Sequence, residues 1–224
     1  MRKRRAAEPK LLVASRNPGK LREYRELMRG VPFQLTDLVA EGIQERVAET
    51  GRTFEENASL KAQRYAVLSG LLTLADDSGL EVDALGGEPG VRSARYAGDH
   101  ASDADRYRLL LEKLRDVPLE QRTARFRCVI ALAWPSGRLD LLDGVRAGII
   151  ALEPKGANGF GYDPVFYMPE LGATMAELSP GQKNRVSHRY EAARKAKALL
   201  DALAAGLRPS DGQLDKDVDA AGQA

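Results

Sequence analysis

A single cysteine, Cys128, rules out an intramolecular disulfide and fits a reducing compartment. It sits in the apolar run Phe126 to Leu132, and neither of the two histidines, His100 and His188, is near it in sequence. It therefore reads as a small hydrophobe in a buried strand rather than as a nucleophile. Charge of one sign is also missing: 34 Lys and Arg stand against 32 Asp and Glu. That balance gives no bulk attraction for nucleic acid or membrane, so any pull on an anionic ligand must come from local clustering. No apolar run is long enough to cross a bilayer. Met1-Arg2-Lys3-Arg4-Arg5 resembles the positive end of a signal peptide, but the apolar stretch that should follow is absent. The expectation is a cytoplasmic protein with a disordered basic extension over residues 1–9. No internal repeat is present.

The 224 residues suit one domain, or one domain built as two lobes, and 43% hydrophobic residues suffice for a packed core. Leu11 to Ser15 reads as a buried strand entering a turn at Asn17-Pro18-Gly19. Leu21, Tyr24, Leu27 and Met28 then recur at helical spacing until Pro32. A polar stretch runs from Asp37 to Gly51. Thr53 and Glu56 have capping-box spacing, and the helix they open runs to Leu68, with Gly70 as its stop. Leu71 to Ala75 is strand-like and ends at Asp76-Asp77-Ser78-Gly79, and Leu80 to Leu85 alternates weakly. Asp103 to Leu114 is an amphipathic helix. Thr123 to Trp134 and Leu139 to Val145 form a hairpin around Pro135-Ser136-Gly137, and Gly148 to Leu152 reads as a further strand. Thr174 to Leu178 is a short helical turn, and a closing helix runs from Asn184 through Leu203. The core thus spans residues 10–206, followed by a disordered tail over 207–224. Early strand–helix alternation and a late hairpin predict an α/β domain with a mixed sheet.

Five constellations could carry chemistry, and each also has a plain structural reading. Ser15-Arg16-Asn17-Pro18-Gly19-Lys20 joins a strand end to a helix start, where amides and the dipole favour an anion. It lacks the glycines of a Walker loop, and an ordinary turn capped by Asn17 explains it equally. Asp76 and Asp77 are adjacent carboxylates at the end of a strand, so only one can face a given side. Oxygens of this kind suit Mg2+, or they cap a polar loop. Glu49 precedes the helix on which Asn57 and Lys61 share a face, which is either a charge-bearing site or a solvated surface. In Gly159-Phe160-Gly161-Tyr162-Asp163-Pro164 the ring of Phe160 can stack on a base or plug the core. Lys183 and Ser187-His188-Arg189 supply donors for base carbonyls or phosphate, or simply surface charge at a helix start. Together they hold what a nucleotide hydrolase needs.

In this order the blocks resemble the inosine/xanthosine triphosphate pyrophosphatases, the bacterial non-canonical purine NTP pyrophosphatase family. Further matching stretches are Leu85 to Gly90 and Ser93 to Tyr96, and the resemblance spans Leu11 to Leu203. It implies an elongated mixed β-sheet with flanking helices, two lobes enclosing a central active-site cleft, and a homodimer. The implied reaction splits ITP, dITP or XTP between the α and β phosphates, giving the nucleoside monophosphate and pyrophosphate. Nucleic acid and membrane are not implied partners. Ser15, Asn17 and Lys20 would hold phosphate, within a substrate loop that also contains Arg16, Pro18 and Gly19. Glu49 and Asp77 would hold Mg2+, with Asp77 also the base and Lys61 balancing phosphate charge. Ser78 would touch the substrate, Phe160 would stack on the base, and Gly161, Tyr162 and Asp163 would shape its pocket. Lys183, His188 and Arg189 would bind the base and sugar. The family's first motif often reads Thr-Gly-Asn. Here Ser15 keeps the hydroxyl and Arg16 replaces the glycine, so the loop differs locally if that glycine's backbone freedom is needed. Other readings are a house-cleaning hydrolase for other modified nucleotides, or a nucleotide binder without turnover.

Overall fold

A computed structural model describes residues 9–206. The basic extension and the tail expected from the sequence lie outside the described residues, apart from residue 9 of the former. The elements are β1 (Lys10–Val13), α1 (Pro18–Leu27), β2 (Gln34–Asp37), α2 (Phe54–Ser69), β3 (Leu72–Val82), α3 (Asp103–Lys113), β4 (Thr123–Ala133), β5 (Leu139–Ile150), β6 (Phe166–Met168), β7 (Ala173–Thr174), α4 (Pro180–Val186) and α5 (His188–Ala204). One mixed sheet of seven strands runs in the order β2-β1-β3-β4-β5-β6-β7. β1 pairs in parallel with β2 and β3, and all other pairs are antiparallel. The parallel pairs need crossovers, which α1 and α2 provide.

The helices form where local chemistry starts and stops them. Asn17 caps α1 by accepting from the Gly19 and Lys20 amides, with Pro18 at the first helical position, where no amide is needed. Thr53 caps α2 by accepting from the Glu56 amide, and Gly70 closes it with a φ of 67°. The expected capping box is only half formed: Glu56 accepts from the Arg52 amide, one residue before the cap. On α2 the small residues Ala58, Ala62 and Ala66 are buried, so the helix backbone lies close to the sheet.

The core divides into three clusters. Leu11, Val13, Tyr24, Leu74, Ile130 and the apolar face of α5 fill one side of the sheet. Leu12, Ala75, Val129 and α2 fill the other. Leu80, Val82, Phe126, Phe166 and Leu110 of α3 form the core of the far half. The long strands β3, β4 and β5 pass from the first half into the second, and this frames the cleft between them.

Three expectations are corrected. β3 does not stop at Ala75: pairing with β4 carries it through the acidic residues as far as Val82. The carboxylates therefore lie in mid-strand, beside the point where β1 ends opposite Leu74. Gly148 to Leu152 is not a separate strand, because unbroken pairing carries β5 on against β4 as far as Ile149 and against β6 at Ile150. The closing helix begins at His188 rather than Asn184, since Ser187 is extended and caps a new helix after α4. The short strands β2, β6 and β7 carry too few residues to show a period.

Candidate active site

The period-two alternation of a strand sends Asp76 and Asp77 to opposite faces of β3, and each meets its own cations. On the α1/α5 face, Asp76 is 3% exposed, 2.8 Å from Lys20 Nζ and 3.7 Å from Arg189 Nε. Burial alone would raise its carboxyl, but Lys20, Arg189 and Lys61 outweigh burial and hold it well below the usual carboxylate range. On the α2 face, Asp77 accepts from Asn57 Nδ2 at 3.0 Å and from the Ser78 amide at 3.0 Å, which fixes the plane of its carboxylate. Burial pushes Asp77 up, against the pull of Lys61 and Lys20. It is the more basic of the two carboxylates, as a proton acceptor needs to be.

Lys61 is buried on α2 and donates to Glu49 Oε1 at 2.6 Å and to the Asp76 carbonyl at 2.6 Å, with Asp77 Oδ1 at 3.9 Å. Burial would lower it, yet Asp77, Glu49 and Asp76 keep it charged. Two hard carboxylates thus converge on one cation. No group of three or more His, Cys, Asp or Glu among the described residues is arranged to hold a metal. A metal at Glu49 and Asp77 would complete its shell with phosphate oxygens and water, a donor set that fits Mg2+.

Across the cleft, Phe160 is held by a tight loop. Its amide donates to Asp163 Oδ2 at 2.9 Å, and any side chain at Gly159 would collide with that same oxygen. The ring reaches the loop that opens α1, lying 3.0 Å from where a Cβ on Gly19 would stand. Lys183 Nζ sits 4.5 Å above the ring and Arg189 Cζ 5.6 Å from it. Lys183 bonds Asp163 Oδ2 at 2.6 Å and Glu23 Oε1 at 3.0 Å. Burial nevertheless leaves the Asp163 carboxyl raised. Arg189 spans Glu23 and Ser78 Oγ, at 2.5 and 2.9 Å, and each terminal nitrogen keeps a hydrogen for a ligand. His188 stacks on Phe126 at 4.7 Å, and its buried Nδ1 has no partner. Burial, then Arg189 and Lys183, lower it well below the ordinary value, so the imidazole is neutral.

Every residue given a role by the family resemblance lines one cleft of about 600 Å3, whereas Asn57, Gly159, Pro164 and Ser187 of the same constellations do not line it. Their tasks within it differ. The Asn17 side chain is spent on the cap, together with two of the loop amides expected to face an anion. Tyr162 donates its hydroxyl to the Ser93 carbonyl, and the Gly161 amide donates to Asp103. Arg16 donates to the carbonyls of Ile43 and Glu45. No non-glycine residue among those described has positive φ, so the position that often holds glycine needs none here. Cys128 is buried beside Asp76, and burial pushes its thiol up to about 12. The sequence reading missed Glu23, which clamps Lys183 and Arg189. Its place three residues after Lys20 on one helix face was the available signal.

The model of the Ham1 family matches residues 11–199. A dITP/XTP pyrophosphatase from Geobacter sulfurreducens is 52% identical over 183 residues, which cover 82% of this chain and 92% of that protein. Another from Bacillus licheniformis is 46% identical over 191 residues, 85% of this chain and 97% of its own. A HAM1 protein from Coxiella burnetii has a closely similar structure, with a TM-score of 0.80 at 43% identity over 86% of this chain and 98% of that one. Matched over nearly the whole described region in both sequence and fold, the chain belongs to the Ham1 family.

Proposed function

We propose that this protein hydrolyses non-canonical purine nucleoside triphosphates, namely ITP, dITP and XTP, to the monophosphate and pyrophosphate. The observation that carries the reading is one cleft with two chemistries: carboxylates gathered on a buried ammonium, and an aromatic ring flanked by cations. Relatives at 44–52% identity bear the name dITP/XTP pyrophosphatase, which supports the substrate class.

In this reading Lys20 binds the phosphate chain, and Phe160 stacks on the purine. Glu49 and Asp77 would hold Mg2+, which would supply neutralisation of phosphate charge and a lowered pKa of water. Asp77, held by Asn57 and the Ser78 amide, accepts the proton of a water attacking the α-phosphorus. The new P–O bond forms as the bond to the bridging oxygen breaks, and pyrophosphate leaves. Lys61 and Lys20 offset the charge that develops. The spare hydrogens of Arg189 suit the 6-oxo group of hypoxanthine or xanthine and mismatch the amino group of adenine.

The reading extends to a homodimer in the cytoplasm that acts on free nucleotides. The even charge balance supports a small-molecule substrate over nucleic acid, and no helix among the described residues is long and apolar enough to cross a membrane. Asp77→Asn tests the assigned base. Nucleotide binding should stay within a few-fold of wild type, while turnover falls by about 10²–10⁴. Near-full turnover in this variant would remove Asp77 from the role.

A further inference from the structure

Residues 43–51 form neither helix nor strand, yet they carry Glu49. Several groups on α2 hold this segment from one side. Arg64 grips Glu45 with two bonds of 2.7 and 2.9 Å, and Tyr65 donates to the Glu45 carbonyl at 3.0 Å. Asn57 accepts from the Gly51 amide at 2.8 Å, and Lys61 donates to Glu49 itself. From the phosphate loop, Arg16 donates to the Ile43 carbonyl at 2.7 Å and to the Glu45 carbonyl at 3.1 Å. The Glu45 carbonyl therefore receives one donor from α2 and one from the loop.

We infer that Arg16 is a positioning residue that fastens the Glu49 segment to the phosphate loop, coupling cation binding to triphosphate binding. The inference rests on the proposed function. The backbone of Arg16 lies between Ser15 and Asn17, so a phosphate that orders the loop also orders the arginine and, through it, the segment. Both bonds leave the same terminal nitrogen, Nη2, which stands one bond further from Cα than a lysine ammonium would, so a lysine falls short of the two carbonyls. The α2 contacts alone tie the segment to α2 and not to the loop that carries Lys20.

The test uses the full chain with Arg16→Met, which keeps the aliphatic stem, and Arg16→Lys, which keeps the charge. Three quantities are measured: hydrogen exchange at residues 43–51 without ligand, pyrophosphate release from ITP across a Mg2+ series, and Mg2+ binding in the presence of a non-hydrolysable ITP analogue by calorimetry. For Arg16→Met, exchange should quicken in the segment and not in α2. The Mg2+ concentration for half-maximal rate, and the calorimetric Kd, should rise about tenfold, as loss of a charge-assisted hydrogen bond implies. Saturating Mg2+ should recover most of the rate, and Arg16→Lys should restore only part of the cation affinity. Unchanged Mg2+ affinity with unchanged exchange overturns the inference, as does quickened exchange without any change in Mg2+ affinity. Full restoration by lysine, or a raised KM for ITP at saturating Mg2+, makes Arg16 a direct phosphate contact and also overturns it. If wild type itself releases no pyrophosphate, the functional reading fails and the coupling fails with it, while the exchange result still reports whether Arg16 holds the segment.

Discussion

Replacing Asp76 with asparagine isolates the charge that anchors Lys20. Asparagine keeps the shape and an acceptor oxygen but leaves Lys20 and Arg189 facing a neutral group. Breaking a buried ion pair costs about 3–5 kcal/mol, and the retained acceptor puts this case near the lower figure. At roughly 2–4 °C per kcal/mol for a domain of this size, Tm should fall by about 6–12 °C. The pH dependence has a definite sign. The folded carboxyl is held below its ordinary value of 3.8, so its stabilisation is fully present above that pH and is lost as pH falls through the folded value. The gap between wild type and variant should therefore be constant near neutrality and close only in strong acid. The uncompensated cations should also make the variant more responsive to anions, so inorganic triphosphate should raise its Tm more than that of wild type. Thermal denaturation followed by circular dichroism, with and without triphosphate, reads both effects. A Tm within about 2 °C of wild type, with equal ligand shifts, would refute the view that Asp76 is the anchor.

Two further outcomes follow from the site's geometry. Phe160→Ala should weaken ITP binding by about tenfold to a hundredfold, the usual worth of one base–aromatic stack, with KM changing more than kcat; an unchanged KM would remove the ring from base binding. His188 is buried and neutral, so the unfolded chain takes up a proton below about pH 6.5 that the folded chain refuses. Wild-type stability to urea should fall with a limiting slope of about 1.4 kcal/mol per pH unit below that value, while His188→Asn should show a flatter profile; parallel profiles would contradict the burial argument.

The blocks that carry chemistry were legible because each occupies a few adjacent residues. The opposed faces of Asp76 and Asp77 follow from strand alternation alone. The end of β3 was not legible: acidic residues in mid-strand look like a loop until β4 supplies their pairing and Lys20 and Lys61 their charges. Glu23 was hidden for a similar reason, since its partners Lys183 and Arg189 lie at the other end of the chain. The task of Arg16 depends on where the aperiodic segment 43–51 comes to rest, and no local pattern encodes that. β2, β6 and β7 are two to four residues long, shorter than the span needed to reveal alternation.

Pyrophosphate release from ITP, dITP, XTP, ATP and GTP, each with Mg2+ and with EDTA, tests the central claim most directly. The account predicts rapid release from the inosine and xanthosine nucleotides, little from ATP, whose 6-amino group mismatches Arg189, and none once EDTA is added. Folded protein that releases pyrophosphate from none of them, or from all of them equally, would contradict it.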